Sequence, residues 1–206
     1  MSDWLRVALT FDVEFPDRPT GPGATVAILD ALGAAGVRAT AFIQGRWAEA
    51  EPDVARRIAA DGHVVGNHSH HHARLTMLTG AGITRDVRAA DAAIAKATGV
   101  SPRPWFRCPF GAGAGTLRVV RRLADAGYVD VGWHVDPADW AGASATVLRR
   151  RVVDGVRAHG DGAVVLMHGW PVATPVALPG IIADLAADGA SFVTVDALDV
   201  VPGKRL

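Results

Sequence analysis

One pattern repeats along this 206-residue chain: a short apolar run, a loop bearing Gly or Pro, then a segment with helical spacing. Strands are expected at Arg6–Phe11, Ala39–Ile43, His63–Gly66, Trp105–Arg107, Tyr128–Trp133, Ala163–Met167 and Ser191–Thr194. These runs are mostly apolar, as strands covered on both faces must be. Apolar residues recur three and four apart at Val54/Ile58, Ile83/Val87/Ala90/Ile94, Leu117/Val120/Ala124 and Leu148/Val152/Val156, which predicts helices between them. Gly36, Gly62, Gly99, Gly127, Gly160 and Gly189 each follow a helical stretch, Pro52 suits a first helical turn, and Ser144 suits an N-cap. Strand–helix alternation on this scale requires a parallel sheet with helices outside it.

An irregular (β/α)7 barrel is expected over a single domain, residues 1–206, because the polar candidates fall at one end. Asp12, His68, Arg107, Asp136, Asp139 and His168 each follow a predicted strand, and active sites of barrels lie at carboxyl ends of strands. A doubly wound open sheet would put ligands at the same end.

Composition narrows the partners. Lys plus Arg and Asp plus Glu both number 21, so the net charge is zero and nothing favours nucleic acid or an anionic membrane. No apolar run reaches the length of a membrane span. The few residues before the first strand leave no room for a signal peptide, so a cytoplasmic location is expected. Cys108 is the single cysteine and excludes an internal disulfide; a small buried side chain is its expected role, ahead of a thiolate beside Arg107.

Four of the eight histidines lie in His68-Ser69-His70-His71-His72. Histidine is the commonest metal ligand near neutral pH. If Ser69 to His72 form a helical turn, His68 and His72 share one face, leaving His70 and His71 at the rim. A third ligand is expected from Asp12-Val13-Glu14, whose two carboxylates share one side of an extended segment. One would bind the ion while the other serves as general base. Two histidines and a carboxylate leave coordination positions open for catalysis.

The chain resembles the NodB-type polysaccharide deacetylases, carbohydrate esterase family 4. The likeness rests, in order, on Thr10-Phe11-Asp12, on Asn67-His68-Ser69 with His72, and on Arg107-Cys108-Pro109-Phe110-Gly111. It continues through Asp136-Pro137-Ala138-Asp139-Trp140 and Leu166-Met167-His168, and so spans nearly the whole chain. The resemblance implies Asp12 as general base, held ionised by Arg107, with His68 and His72 as metal ligands and Ser69 shaping their loop. It implies that the Phe110 backbone N–H stabilises the oxyanion and that Asp139 tunes His168, the general acid. Trp140 and Leu166 would wall the acetyl pocket. Three positions depart from the usual pattern. Val13 stands where the family commonly has its metal-binding aspartate, and Glu14 fills that role in a variant pattern. Phe110 replaces a tyrosine, and Gly169 replaces an aspartate.

The expected function is therefore hydrolysis of an amide bond with one divalent metal, zinc before cobalt, nickel or manganese. N-deacetylation of an amino-sugar glycan, glycan precursor or small acetamido metabolite is the leading reading. Ring opening of a cyclic amide or imide, as in allantoinase-like relatives, and O-acetyl ester hydrolysis are the chemical neighbours. A two-His-one-carboxylate iron oxygenase and a non-catalytic binding module are the rivals from other classes.

Overall fold

The computed structural model describes residues 5–14 and 23–198. Its seven strands, all paired in parallel, are β1 (Leu5–Val13), β2 (Thr40–Ile43), β3 (Val64–Asn67), β4 (Trp105–Phe106), β5 (Val129–Asp130), β6 (Ala163–His168) and β7 (Ala190–Val193). Around them lie α1 (Gly23–Ala35), α2 (Gly45–Ala50), α3 (Pro52–Ala60), α4 (Gly80–Thr98), α5 (Leu117–Asp125), α6 (Ala145–His159) and α7 (Ala173–Ala187). The strand order is β5-β4-β3-β2-β1-β6, and β7 pairs with the start of β1. Beyond β5 the chain curls back onto the far edge, where Val135 bridges Val165 and the N–H of Leu166 donates to the Val135 carbonyl at 2.9 Å. The sheet thus curls into an irregular barrel.

Strand alternation sorts the side chains. On β1, Val7, Leu9, Phe11 and Val13 face the helices and join the main core with Ala41, Ile43, Val65, Val165 and Met167. Ala8 and Phe42 instead meet Val131, Val164 and Val195 in a second cluster inside the curl. Thr10, Asp12 and Glu14 continue the inner row of β1. Register aligns the chemistry: Asp12 pairs with His168, Val13 with Ile43, Ile43 with Asn67, and Asn67 with Phe106. His68 and Arg107 therefore emerge at the same rim as Asp12 and His168.

The sequence expectations differ from the structure in particular places. The expected strand Tyr128–Trp133 is only Val129–Asp130, because the carbonyls of Val131 and Gly132 accept hydrogen bonds from Arg107 rather than from a neighbouring strand. The third strand runs from Val64 to Asn67, one residue later than expected. Helix α7 shows no amphipathic spacing because it packs against both α1 and α6, burying Ala177, Leu178, Ile181, Ile182 and Leu185. Ser144 caps α6 by accepting from the Val147 N–H at 3.4 Å, and Pro52 opens α3, as expected.

Gly66 makes room for the inner cluster. A Cβ there would lie 2.6 Å from the Phe42 ring and 3.2 Å from the Trp105 carbonyl oxygen. Gly66→Ala should destabilise the protein by about 1–3 kcal/mol through overpacking, lowering the melting temperature by roughly 2–4 °C per kcal/mol. Thermal unfolding followed by circular dichroism measures this.

Candidate active site

Three groups of side chains meet at the carboxyl rim. The first is built on Arg107, which is fully buried. Its Nη1 donates to Asp12 Oδ1 at 2.9 Å and to Thr10 Oγ1 at 2.8 Å; Nε and Nη2 donate to the carbonyls of Val131 and Gly132, each at 3.1 Å. The guanidinium carbon lies 4.1 Å from the Phe42 ring centroid and 5.7 Å from that of Trp133. Asp12 is thereby oriented by a cation that has no route to solvent.

The second group is Glu14, His68 and His72, whose ligand atoms all lie within 4.8 Å of one another. His68 Nδ1 sits 2.9 Å from the Arg107 carbonyl oxygen. A carbonyl only accepts, so Nδ1 carries the proton and Nε2 of the neutral ring presents a lone pair. That Nε2 faces Glu14 Oε2 at 3.3 Å and Asp12 Oδ2 at 3.5 Å. His72 Nε2 is 2.5 Å from the same Glu14 oxygen, yet this buried oxygen forms no well-directed hydrogen bond. Burial alone would raise the Glu14 pKa, but the close approach and charge of the His68 and His72 rings outweigh it and hold the carboxyl well below its usual range. Burial likewise opposes charging of His68, and the carboxylates of Asp12 and Glu14 reverse that, raising its pKa. Converging lone pairs of this kind fit a divalent cation, and the set matches the two-His-one-carboxylate donor chemistry of open metal sites.

His68 and His72 do not meet through a helical turn. Residues 68–72 form an irregular loop in which Ser69 (φ 64°) and His72 (φ 55°) are left-handed, a conformation costing non-glycine residues about 1–3 kcal/mol each. Side chains hold it there. Asn67 Oδ1 accepts from the Ser69 N–H at 2.8 Å, and Ser69 Oγ accepts from the His72 N–H at 2.9 Å. Asp86, on α4, accepts from the backbone N–H groups of His70 and His71 and from His71 Nδ1. His71 lies exposed at the rim, whereas His70 turns towards Glu49 at 3.8 Å.

The third group couples His168 to Asp139. His168 Nδ1 lies 2.7 Å from Asp139 Oδ1, and its backbone N–H donates to Oδ2 at 2.8 Å. Burial lowers the His168 pKa, but the hydrogen bond and charge of Asp139, with Asp12 and Glu14 behind it, push it up to about 9.

The remaining candidates line the edges. Phe110 is left-handed (φ 58°), and its ring packs on His72 at 4.5 Å beneath the Arg74 guanidinium at 4.3 Å. The ring at this position thus supports a candidate ligand, a contact not read from the sequence. Leu166 is buried on β6, while Trp140 is 54 % exposed beside Asp139. Cys108 is buried, and burial followed by the Asp130 carboxylate pushes its thiol up, which removes it as a nucleophile. His134 stacks on His159 at 3.8 Å and its Nδ1 accepts from the Val164 N–H. Thr10, Asn67 and Asp86 carry much of this geometry without having been assigned roles from the sequence. Thr10 and Asn67 had a signal, since each lies in a motif quoted above and Thr10 stands two residues before Asp12 on the same strand face; Asp86 had none.

Comparison with known proteins agrees with the fold. The pattern of the family described as Polysaccharide deacetylase matches residues 5–134. The peptidoglycan-N-acetylglucosamine deacetylase PgdA of Listeria monocytogenes is 32 % identical over 194 residues, covering 94 % of this chain and 38 % of that protein. The chain therefore spans well under half the length of that relative. A family 4 carbohydrate esterase from Streptomyces lividans superposes with a TM-score of 0.82 at 33 % identity, covering 97 % of this chain and 98 % of the other. A CE4 family pseudoenzyme from Bacillus anthracis superposes at 0.86 with 29 % identity, covering all of this chain and 71 % of the other. By a sequence match over more than half its length and by the shape of its sheet, this chain belongs to the polysaccharide deacetylase family.

Proposed function

We propose that this chain is a metal-dependent hydrolase that removes the N-acetyl group from an amino-sugar-containing glycan or glycan fragment. One observation carries the reading: a held carboxylate, a cation-seeking donor triad and a carboxylate-coupled imidazole converge on one rim. The iron-oxygenase reading needs only the triad, and its usual scaffold is β-rich. A non-catalytic binding module needs neither of the paired groups.

Glu14, His68 and His72 would hold the metal, zinc best suiting two imidazoles and a carboxylate, and the ion would supply Lewis-acid polarisation and acidify a water. Asp12 is the general base, because Arg107 holds its Oδ1 and leaves Oδ2 facing the triad. His168 is the general acid. Amide cleavage expels a poor leaving group, so the departing nitrogen must be protonated. Asp139 keeps the imidazole charged and turns Nδ1 inward, leaving Nε2 to deliver that proton. The Phe110 backbone N–H, Trp140 and Leu166 would border the acetyl group.

Protein purified without a histidine tag should carry one divalent ion by elemental analysis and release acetate from chitooligosaccharides or peptidoglycan fragments. Chelation should abolish turnover and zinc should restore it. No acetate from any acetamido sugar would overturn the reading. Asp12→Asn should keep the ion yet lose about two to four orders of magnitude in rate, whereas Glu14→Gln should lose the ion. The reverse pattern would exchange their roles.

The pH profile tests the acid. His168 must be protonated to act, so the rate should fall as pH rises through about 9. Asp139→Asn removes the charge that holds the proton, and the alkaline limb should move to lower pH. His168→Ala should abolish amide turnover while sparing much of the hydrolysis of an acetylated phenol, whose leaving group departs unprotonated.

A further inference from the structure

Asp139 lies in a short turn, Asp139–Ala141, between two left-handed residues, Ala138 (φ 53°) and Gly142 (φ 78°). Regular secondary structure therefore does not fix the aim of its carboxylate, and rotation about the last side-chain bond is soft. Two hydrogen bonds to Oδ2 fix it instead. One comes from the His168 backbone N–H, the other from Thr174 Oγ1 at 2.9 Å. Thr174 is fully buried in the first turn of α7, and Asp139 is 2 % exposed, so water does not substitute for either partner. The residue after His168 has no room for such a role. A Cβ on Gly169 would sit 2.9 Å from Thr25 Oγ1, which already donates to the Gly169 carbonyl at 2.8 Å.

We propose that Thr174 is a positioning residue for the acid: its hydroxyl clamps Asp139 Oδ2 so that Oδ1 stays aligned with His168 Nδ1. The inference rests on the reading of His168 as the proton donor. Asp12 and Glu14 also act on His168 by charge, and Trp170 lies 6.0 Å away ring to ring, but no hydrogen bond joins these groups to Asp139. Among the described residues, Thr174 thus supplies the one side-chain anchor of Oδ2. It reaches the site from a helix 35 positions beyond Asp139.

Thr174→Val keeps the shape and removes the hydroxyl. On an acetamido sugar its kcat should fall about tenfold or more, as expected for one lost hydrogen bond to a charged group, with KM unchanged. Hydrolysis of an acetylated phenol should stay near wild type, and Thr174→Ser should restore amide turnover. An activity-independent signature accompanies these rates. The downfield Nδ1–H proton resonance of His168, identified by its loss in His168→Ala, should persist in Thr174→Ser and vanish in Thr174→Val. An unchanged resonance and amide kcat in Thr174→Val would overturn the proposal while leaving the deacetylase reading intact. A wild type inert on every amide, with the resonance still dependent on Thr174, would overturn that reading and keep the clamp. If Thr174→Val and Thr174→Ala both fail to fold while Thr174→Ser folds, the hydroxyl is a structural anchor and the proposal falls.

Discussion

A guanidinium with no exposure to water sets the terms for this molecule. Arg107 lies inside the curl of the sheet, where an unpaired cation would cost several kcal/mol. Its neighbours are consequently constrained: Asp12 must turn Oδ1 towards it, Thr10 must present its oxygen, and the chain after β5 must leave the ladder to lend two carbonyls. Phe42 must offer a ring face, which in turn requires Gly66 to lack a side chain. Its own carbonyl fixes the tautomer of His68. Such a pair adds little net stability, since the desolvation cost offsets the attraction. What it provides is a carboxylate with one orientation.

Much of this was legible from residue patterns. Alternation between short apolar runs and helical spacings gives the parallel sheet, and the inner row of β1 reads directly as Thr10, Asp12 and Glu14. The loop that joins His68 to His72 is not the helical turn that the spacing allows, because the left-handed conformations of Ser69 and His72 depend on Asn67, Ser69 and Asp86 closing around them. Sequence spacing shows which residues are neighbours along a helix; it does not show a backbone held by a side chain from another element. Helix α7 escaped for a similar reason. Burial on two sides erases the polar stripe by which a surface helix is recognised.

Membership in a family fixes the frame more firmly than the activity. A pseudoenzyme superposes on this chain as well as a carbohydrate esterase does, so the curled sheet by itself decides nothing about turnover. The decision lies with a few side chains at the rim. Here the carboxylate displaced by one residue, from Val13 to Glu14, still reaches the two imidazoles, because residues two apart on an extended strand share a face.

The filling of the barrel interior bears on what can be bound. Phe42, Arg107 and Trp133 stack within it, and Val131, Val164 and Val195 pack around them. No ligand enters such a space, so a reacting bond has to be brought to the rim from outside. A small group carried on a larger body would meet that demand. The exposed rings of Phe110 and Trp140 lie at that rim, while the cation and its partners stay buried beneath it.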